Sequence, residues 1–183
     1  MFHLARIEDR TLADTRREFE VNYFGYLRLI QAVLPHMREQ GQGIIHNVSS
    51  GAGITGTPAL SGYASTKGAI EALVRSLRFE LHDEGVHVTL MHPPLTNTRA
   101  GAALGYPGSV MQDPADVGRK LARRIDSTDA VIYADLGTRI GLFLAHRLPS
   151  LVRRGSKRFA DAPTTREQSP GAAAGADPEA RAR

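Results

Sequence analysis

Apolar side chains recur at helical spacing in two long stretches of the chain. Between residues 11 and 39 they return every three or four positions, and Thr11 is a suitable cap at the start. This pattern predicts one long helix that ends at Gly41. A second helix is predicted from residue 61 to residue 84, where Gly85 stops it.

A strand-like segment follows each of these helices. Residues 44–49 form a short run rich in β-branched side chains, and residues 86–92 form another that closes at Pro93. Strands separated by helices of this length predict an α/β fold with a parallel sheet and helices on both faces. The same patterns predict three later elements: a helix over 113–125, a strand over 130–133 and a helix over 138–148.

The composition is that of an ordinary soluble domain. Of 183 residues, 42% are hydrophobic and 23% are charged, and none is cysteine. Disulfides, thiolate metal sites and a cysteine nucleophile are therefore excluded, and a reducing compartment fits. Charged residues within 6–10 interrupt any secretory signal, and the apolar run 140–145 is too short to span a membrane. We expect a soluble cytoplasmic protein.

The net charge of +4 is concentrated at the C-terminal end. From Val152 onward there are seven basic and four acidic residues, which leaves the first 151 residues at only +1. From about residue 161 the chain is rich in Pro, Ala and Gly without periodicity. We divide the chain into a folded domain, residues 1–154, and a disordered basic tail, residues 155–183.

This charge distribution bears on the choice of partners. A basic tail without interleaved aromatic side chains argues against nucleic acid. The basic C-terminal stretch could touch a membrane surface, but Pro149 interrupts it, so a solvated tail is the favoured interpretation. We therefore expect neither nucleic acid nor a membrane as a partner.

The second predicted helix carries the candidate chemistry. Tyr63 and Lys67 are one helical turn apart and share a face with the apolar residues Ile70, Val74 and Leu77. An ammonium near a phenol favours the tyrosinate, so Lys67 is expected to lower the pKa of Tyr63 from its ordinary value of ~10. Tyr63 would then exchange protons near neutral pH. Snorkelling of Lys67 to solvent is an alternative that spacing alone leaves open.

Two further polar residues lie where a site could form. Ser50 follows the first strand, at the sheet edge where open α/β folds bind ligands, and its hydroxyl could bind a substrate oxygen. A loop-capping role is the alternative for Ser50. Asn22 lies on the apolar stripe of the long helix, between Phe19 and Tyr23, where a buried amide needs partners. Taken alone, Asn22 is interpreted as structural.

Four segments in a fixed order resemble one enzyme family. They are VNYFG (21–25), LPHM (34–37), GIIHNVSSGAG (43–53) and YASTKGAIEAL (63–73). Together they resemble the short-chain dehydrogenase/reductase family over residues 13–98. The resemblance implies a Rossmann-like parallel sheet and hydride transfer between NAD or NADP and a carbonyl or alcohol. It also implies that the family's Gly-rich phosphate turn lies upstream of this sequence, so the fold would be incomplete at its N-terminal side.

The catalytic roles of the family carry over to matching positions. The resemblance implies that Tyr63 is the catalytic acid and base. Lys67 would lower the pKa of Tyr63 and hold the nicotinamide ribose. Ser50 would polarise the substrate oxygen, and Asn22 would anchor a water in a proton relay that reaches Lys67.

Cofactor, substrate and oligomeric state follow from the same resemblance. Pro93 and Thr98 match cofactor-binding positions at the nicotinamide end, while the choice between NAD and NADP stays open. The substrate would be a small alcohol or carbonyl compound, and apolar residues within 95–111 favour an apolar one. The two long helices resemble the family's dimer surface, which implies a homo-oligomer.

The chain departs from the family pattern in two ways. GAGITG (51–56) matches the glycine pattern G-x-G-x-x-G, but four residues separate it from the following helix, so it is not a phosphate turn. Because the resemblance places the true phosphate turn upstream, affinity for NAD(P)H should be severely reduced in the isolated chain, and a catalytically silent interaction module is the alternative function. Pro94 stands where the family has Gly, which fixes φ and removes an N–H beside the nicotinamide position.

Two other kinds of chemistry are disfavoured by the sequence. No G-x-S-x-G elbow is present, which argues against a hydrolase. His82, His87 and His92 are five residues apart across a helix end and a strand, and this spacing does not bring their rings together around a metal.

Overall fold

The computed structural model describes residues 1–150 of the chain. The predicted domain boundary at residue 154 and the predicted tail, 155–183, lie outside these residues. Within residues 1–150, no helix combines the length and the apolarity that crossing a bilayer requires.

Three parallel strands organise the fold in the order β1-β2-β3. Gly43 of the first strand pairs with Val86 of the second, and Leu90 of the second pairs with Val131 of the third. The parallel sheet predicted from the sequence is therefore confirmed. The strands are β1 (Gly43–Val48), β2 (Val86–His92) and β3 (Val131–Tyr133).

Seven α-helices connect and cover these strands within residues 1–150. Several begin at side-chain caps: Asp113 caps one helix and Asp135 another. The predicted helices over 113–125 and 138–148 are confirmed with slightly different ends. The helices are α1 (Leu12–Phe19), α2 (Gly25–Gln40), α3 (Ala52–Thr55), α4 (Ser61–Glu80), α5 (Arg99–Ala102), α6 (Pro114–Ala122) and α7 (Leu136–Arg147).

The first long helix predicted from the sequence is interrupted. Its start is confirmed, because Thr11 and Asp14 form a reciprocal capping box. Its interior is not purely α-helical, since residues Glu20–Phe24 form a π turn between α1 and α2. A π turn contains an extra residue, so it rotates the following side chains relative to the preceding ones. The prediction of a single regular helix was therefore wrong at Asn22, which lies inside the π turn.

Gly41 ends the first long helix as predicted, whereas the prediction that the second helix continues to Gly85 was wrong. Gly41 ends α2 with φ of 66°, a left-handed conformation that glycine adopts without strain. Gly85 has φ of 71°, but α4 ends earlier, at Glu80. The chain forms a turn between α4 and Gly85, with the side chain of Leu81 buried in the core.

One apolar core lies between the sheet and helices α2 and α4. Val86, Val88 and Leu90 project from one face of β2 and pack with Ile70 and Val74 of α4, all at 4% exposure or less. Because alternate residues of a strand face opposite sides, Thr89 projects from the other face.

The opposite face of the sheet is tied to the end of α6. His46 of β1 lies 2.6 Å from Thr89 Oγ1 and 2.7 Å from the carbonyl oxygen of Ile125. Helices therefore lie on both faces of the sheet, as predicted. This arrangement leaves the carboxyl ends of β1 and β2 open for a site.

Candidate active site

A cavity of about 900 Å³ opens where β1 and β2 end. Its wall includes Ser50 after β1, Pro93 after β2, Tyr63 of α4 and Thr98 before α5. Parallel sheets of this kind place ligand crevices at this edge. Four of the six candidate site residues therefore share one cavity, while Asn22 and Lys67 are buried beside it at 5% and 8% exposure.

Tyr63 is the central polar group of the cavity wall. Burial raises the pKa of its phenol above the ordinary value, and a hydrogen bond with the Ser50 hydroxyl acts in the lowering direction. The ring of Phe2 packs edge-on against the Tyr63 ring, with 5.8 Å between the centroids. The phenol is therefore held in its protonated form at neutral pH.

The expected effect of Lys67 on Tyr63 is corrected by this geometry. The ammonium nitrogen of Lys67 lies 5.9 Å from the Tyr63 ring centroid, and it donates a hydrogen bond of 2.9 Å to the carbonyl oxygen of Val48. The pKa of Tyr63 is raised rather than lowered, because loss of hydration on burial outweighs the hydrogen bond with Ser50.

Lys67 does not snorkel to solvent. Its Nζ lies 5.1 Å from the ring centroid of Tyr26, and the Tyr26 hydroxyl donates 3.0 Å to the same Val48 carbonyl. Burial lowers the pKa of Lys67, while the nearby carboxylate of Glu71 acts in the raising direction. The ammonium is thus fixed at the end of β1 by a carbonyl, a ring face and a carboxylate.

Asn22 is anchored from three directions, which explains its burial. Its Oδ1 accepts 3.0 Å from the Met1 ammonium, and its Nδ2 donates 2.6 Å to the Met1 carbonyl. Nδ2 also lies 3.2 Å from Thr66 Oγ1, next to Lys67 in sequence. The amide therefore joins the π turn, the first residues of the chain and α4. The relay to Lys67 that the resemblance implies stays a prediction.

The motif GAGITG forms the floor of the site rather than a phosphate turn. Residues 52–55 make only one short turn of helix, α3. A Cβ on Gly53 would lie 2.8 Å from the Lys67 carbonyl carbon, so only glycine lets this loop approach α4 so closely. That approach brings Ser50 to Tyr63.

The sequence analysis missed a buried contact between a carboxylate and an imidazole. Glu71 is 6% exposed, and its Oε1 lies 3.3 Å from Nε2 of His92, which is 1% exposed. Burial lowers the pKa of His92, and the charge of Glu71 acts in the raising direction. Glu71 follows Lys67 at four residues, and this helical spacing was the available signal.

Metal binding finds no support in this region. Among residues 1–150, no group of three or more His, Cys, Asp or Glu side chains is arranged to hold a metal ion. His92 contacts Glu71 and stacks on Tyr133 with 5.5 Å between ring centroids.

Titration of the Tyr63 phenol tests the role of Ser50. Ser50→Ala is expected to raise the pKa of the Tyr63 phenol further above 10.0, because a hydrogen bond that favours the tyrosinate is lost. Tyrosinate absorbance against pH, after subtraction of the Tyr63→Phe curve, measures this shift. Ser65→Ala is the control, since its hydroxyl donates to the Ser61 carbonyl on the exposed side of α4. An unchanged or lower pKa in Ser50→Ala would contradict the assignment.

The fold and the cavity define an α/β protein of the Rossmann-like class. A short-chain dehydrogenase of Burkholderia cenocepacia, solved in complex with NADP, superposes with a TM-score of 0.72 at 21% identity. The match covers 89% of this chain and 66% of that one. Residues 2–106 match the family model described as short chain dehydrogenase. The chain therefore belongs to the short-chain dehydrogenase/reductase family, as the motifs predicted.

Two relatives show how much of such a protein the chain represents. The uncharacterized oxidoreductase YusZ of Bacillus subtilis is 45% identical over 87 residues, which are 48% of this chain and 31% of that protein. A 3-alpha-(or 20-beta)-hydroxysteroid dehydrogenase of Mycobacterium tuberculosis is 39% identical over 98 residues, 54% of this chain and 38% of that protein. The chain thus spans about a third of the length of these relatives.

Proposed function

We propose that this chain carries the catalytic part of an NAD(P)-dependent oxidoreductase that interconverts a secondary alcohol and a carbonyl compound. The observation that carries the proposal is the grouping of three side chains. The phenol of Tyr63 and the hydroxyl of Ser50 interact on the wall of one cavity, and the buried ammonium of Lys67 lies one helical turn beyond.

Proton transfer in this site can be followed in the reducing direction. The hydroxyl of Ser50 donates a hydrogen bond to the substrate oxygen and polarises the carbonyl group. Tyr63 is protonated, since burial raises its pKa, so it can give its proton to that oxygen as the carbon accepts a hydride. The product is an alcohol, and the tyrosinate left behind faces the ammonium of Lys67.

The polar groups of the cavity wall fit the nicotinamide end of NAD(P). Bound NAD(P) supplies the hydride. The hydroxyl of Ser49 is buried without a hydrogen-bond partner within residues 1–150, and it lies on the same cavity wall as Pro93 and Thr98. The hydroxyls of Ser49 and Thr98 and the ammonium of Lys67 can donate to the polar nicotinamide end, and the carbonyl of Pro93 can accept from it. The residues that would hold that end are Tyr63, Lys67, Pro93 and Thr98. Pro94 beside it has a fixed φ and no backbone N–H to donate.

Apolar residues of the cavity wall and of helix α2 support a substrate class and an oligomeric state. Leu60, Leu95 and Leu104 line the cavity and favour an apolar alcohol or carbonyl compound. Leu29 and Val33 of α2 are exposed and apolar, which supports a homo-oligomer built through the two long helices. A cytoplasmic location remains a prediction from composition.

Stereochemistry of turnover tests the proposed function. We expect oxidation of NADH or NADPH to depend on an added ketone and to yield one enantiomer of the secondary alcohol, because a fixed site presents one carbonyl face. Ser50→Ala should lower kcat/KM about 100-fold or more, by loss of a positioned donor. Ser65→Ala should match the unaltered protein. Racemic product, or no ketone-dependent oxidation with either cofactor in protein from its own cells, would favour the silent interaction module.

A further inference from the structure

The outer face of α7 exposes a stripe of large apolar side chains. Its members recur at helical spacing within about 100° of the helix circumference. A helix of a soluble domain ordinarily turns such a stripe toward the core, so an exposed one marks an interaction surface. The exposed fractions are 67% for Leu136, 48% for Ile140, 58% for Phe143 and 46% for Leu144, and Leu148, which follows the helix, is 44% exposed.

The inner side of α7 forms part of the cavity wall. Thr138 and Leu142 face the cavity and are partly buried. Among residues 1–150, the apolar stripe on the outer side therefore does not contribute to the core, and it lies directly behind one wall of the candidate site.

Cations accompany the stripe, and acidic residues are missing from it. Between Asp135 and Asp161 the sequence has six Lys or Arg residues and no Asp or Glu. Two of them lie on α7, where the guanidinium of Arg147 sits 5.4 Å from the ring centroid of Phe143. α7 itself carries Arg139 and Arg147 and no Asp or Glu. An apolar stripe beside cations is complementary to anionic lipid, whose headgroups pair with cations above an apolar layer.

We propose that α7 docks on an anionic membrane surface, with Ile140 and Phe143 below the headgroups and the neighbouring cations beside the phosphates. The helix lies along the surface, since it is only 12 residues long. The solvated tail that the sequence analysis favoured lies outside the described residues. The apolar stripe is a different segment, since α7 ends before Pro149. The proposal does not depend on the enzymatic function.

Other occupants fit this surface less well. A second copy would bring Arg139 and Arg147 of two α7 helices together, and α7 has no Asp or Glu to offset them. Nucleic acid would neutralise the cations but leave Ile140 and Phe143 against phosphates. An anionic bilayer satisfies both the charge and the apolar stripe.

Flotation with vesicles tests the proposal on the full 183-residue chain. We expect it to float with vesicles of phosphatidylcholine and phosphatidylglycerol, and far less with phosphatidylcholine alone. The double variant Ile140→Ser, Phe143→Ser should lower partitioning at least about tenfold, since two apolar insertions are lost. Phe79→Ser is the matched control, because Phe79 is 85% exposed at the far end of α4. It should partition like the unaltered chain.

A fluorescent reporter keeps the test independent of the double variant's folding. The chain contains no tryptophan, so Phe143→Trp places a single indole in the stripe and Phe79→Trp places one outside it. Only Phe143→Trp should shift its emission to the blue with anionic vesicles. No flotation at low salt, equal flotation of the double variant, or equal shifts at both positions would overturn the proposal. A dimer that the double variant converts to monomer would also overturn it and assign the stripe to a second copy.

Discussion

Tyr63→Phe is expected to reduce kcat for ketone reduction by about 10³-fold or more, because positioned acid–base groups contribute about 10²–10⁴-fold and the Tyr63 phenol interacts with the Ser50 hydroxyl on the cavity wall. The substitution removes one oxygen and keeps the ring that packs on Phe2. Affinity for the cofactor should change little, since Lys67 and the walls of the cavity remain. Steady-state kinetics and a separate cofactor titration measure the two effects.

The matched control for this prediction is Tyr23→Phe. Tyr23 is a partly buried tyrosine that packs on the apolar core. Its substitution also removes one phenolic hydroxyl, but outside the cavity wall, so kcat should stay within about twofold of the unaltered protein. Equal turnover in Tyr63→Phe and the unaltered protein would remove the acid–base role from Tyr63. An equal loss in both variants would point to folding rather than chemistry.

Local pattern was sufficient to predict much of the fold. Residues 86–92 combine β-branched side chains with a closing Pro93, and β2 has these ends. The interruption of the first helix was not predictable in the same way. A π turn differs from an α-helix by a backbone hydrogen bond, here from the Gly25 N–H to the Glu20 carbonyl, and apolar spacing in the sequence does not report that bond.

The candidate site was also predictable only where it depends on neighbouring residues in the sequence. Tyr63 and Lys67 lie on one helix, and their proximity follows from helical geometry. The burial that raises the pKa of Tyr63 depends on distant residues such as Phe2, so the sequence analysis predicted the opposite direction. Apolar spacing on α4 identified Ile70 and Val74 but gave no sign that Glu71 is buried. The contact of Glu71 with His92 was not predictable, because His92 lies on β2.

The second large effect is expected from a buried ion pair that holds the first residues over the site. Arg10 and Glu18 have side chains 3% and 0% exposed, with 2.6 Å between the guanidinium and the carboxylate. The other carboxylate oxygen accepts 2.6 Å from the backbone N–H of His3, and Arg10 donates to the His3 carbonyl. One carboxylate thus fixes the segment that carries Met1 and Phe2.

Glu18→Ala is expected to lower the free energy of unfolding by about 3–5 kcal/mol, because the guanidinium of Arg10 stays buried without its counter-charge. Glu20→Ala, two residues further along, breaks a pair whose side chains are 61% and 58% exposed, and should cost less than about 1 kcal/mol. Urea unfolding curves with the same m-value give the free energy of unfolding of the two variants. Equal small losses would mean that the guanidinium of Arg10 reaches water once its partner is gone. A large loss specific to Glu18→Ala would show that the buried guanidinium of Arg10 depends on this carboxylate, and that the ion pair contributes to holding the first residues against α1.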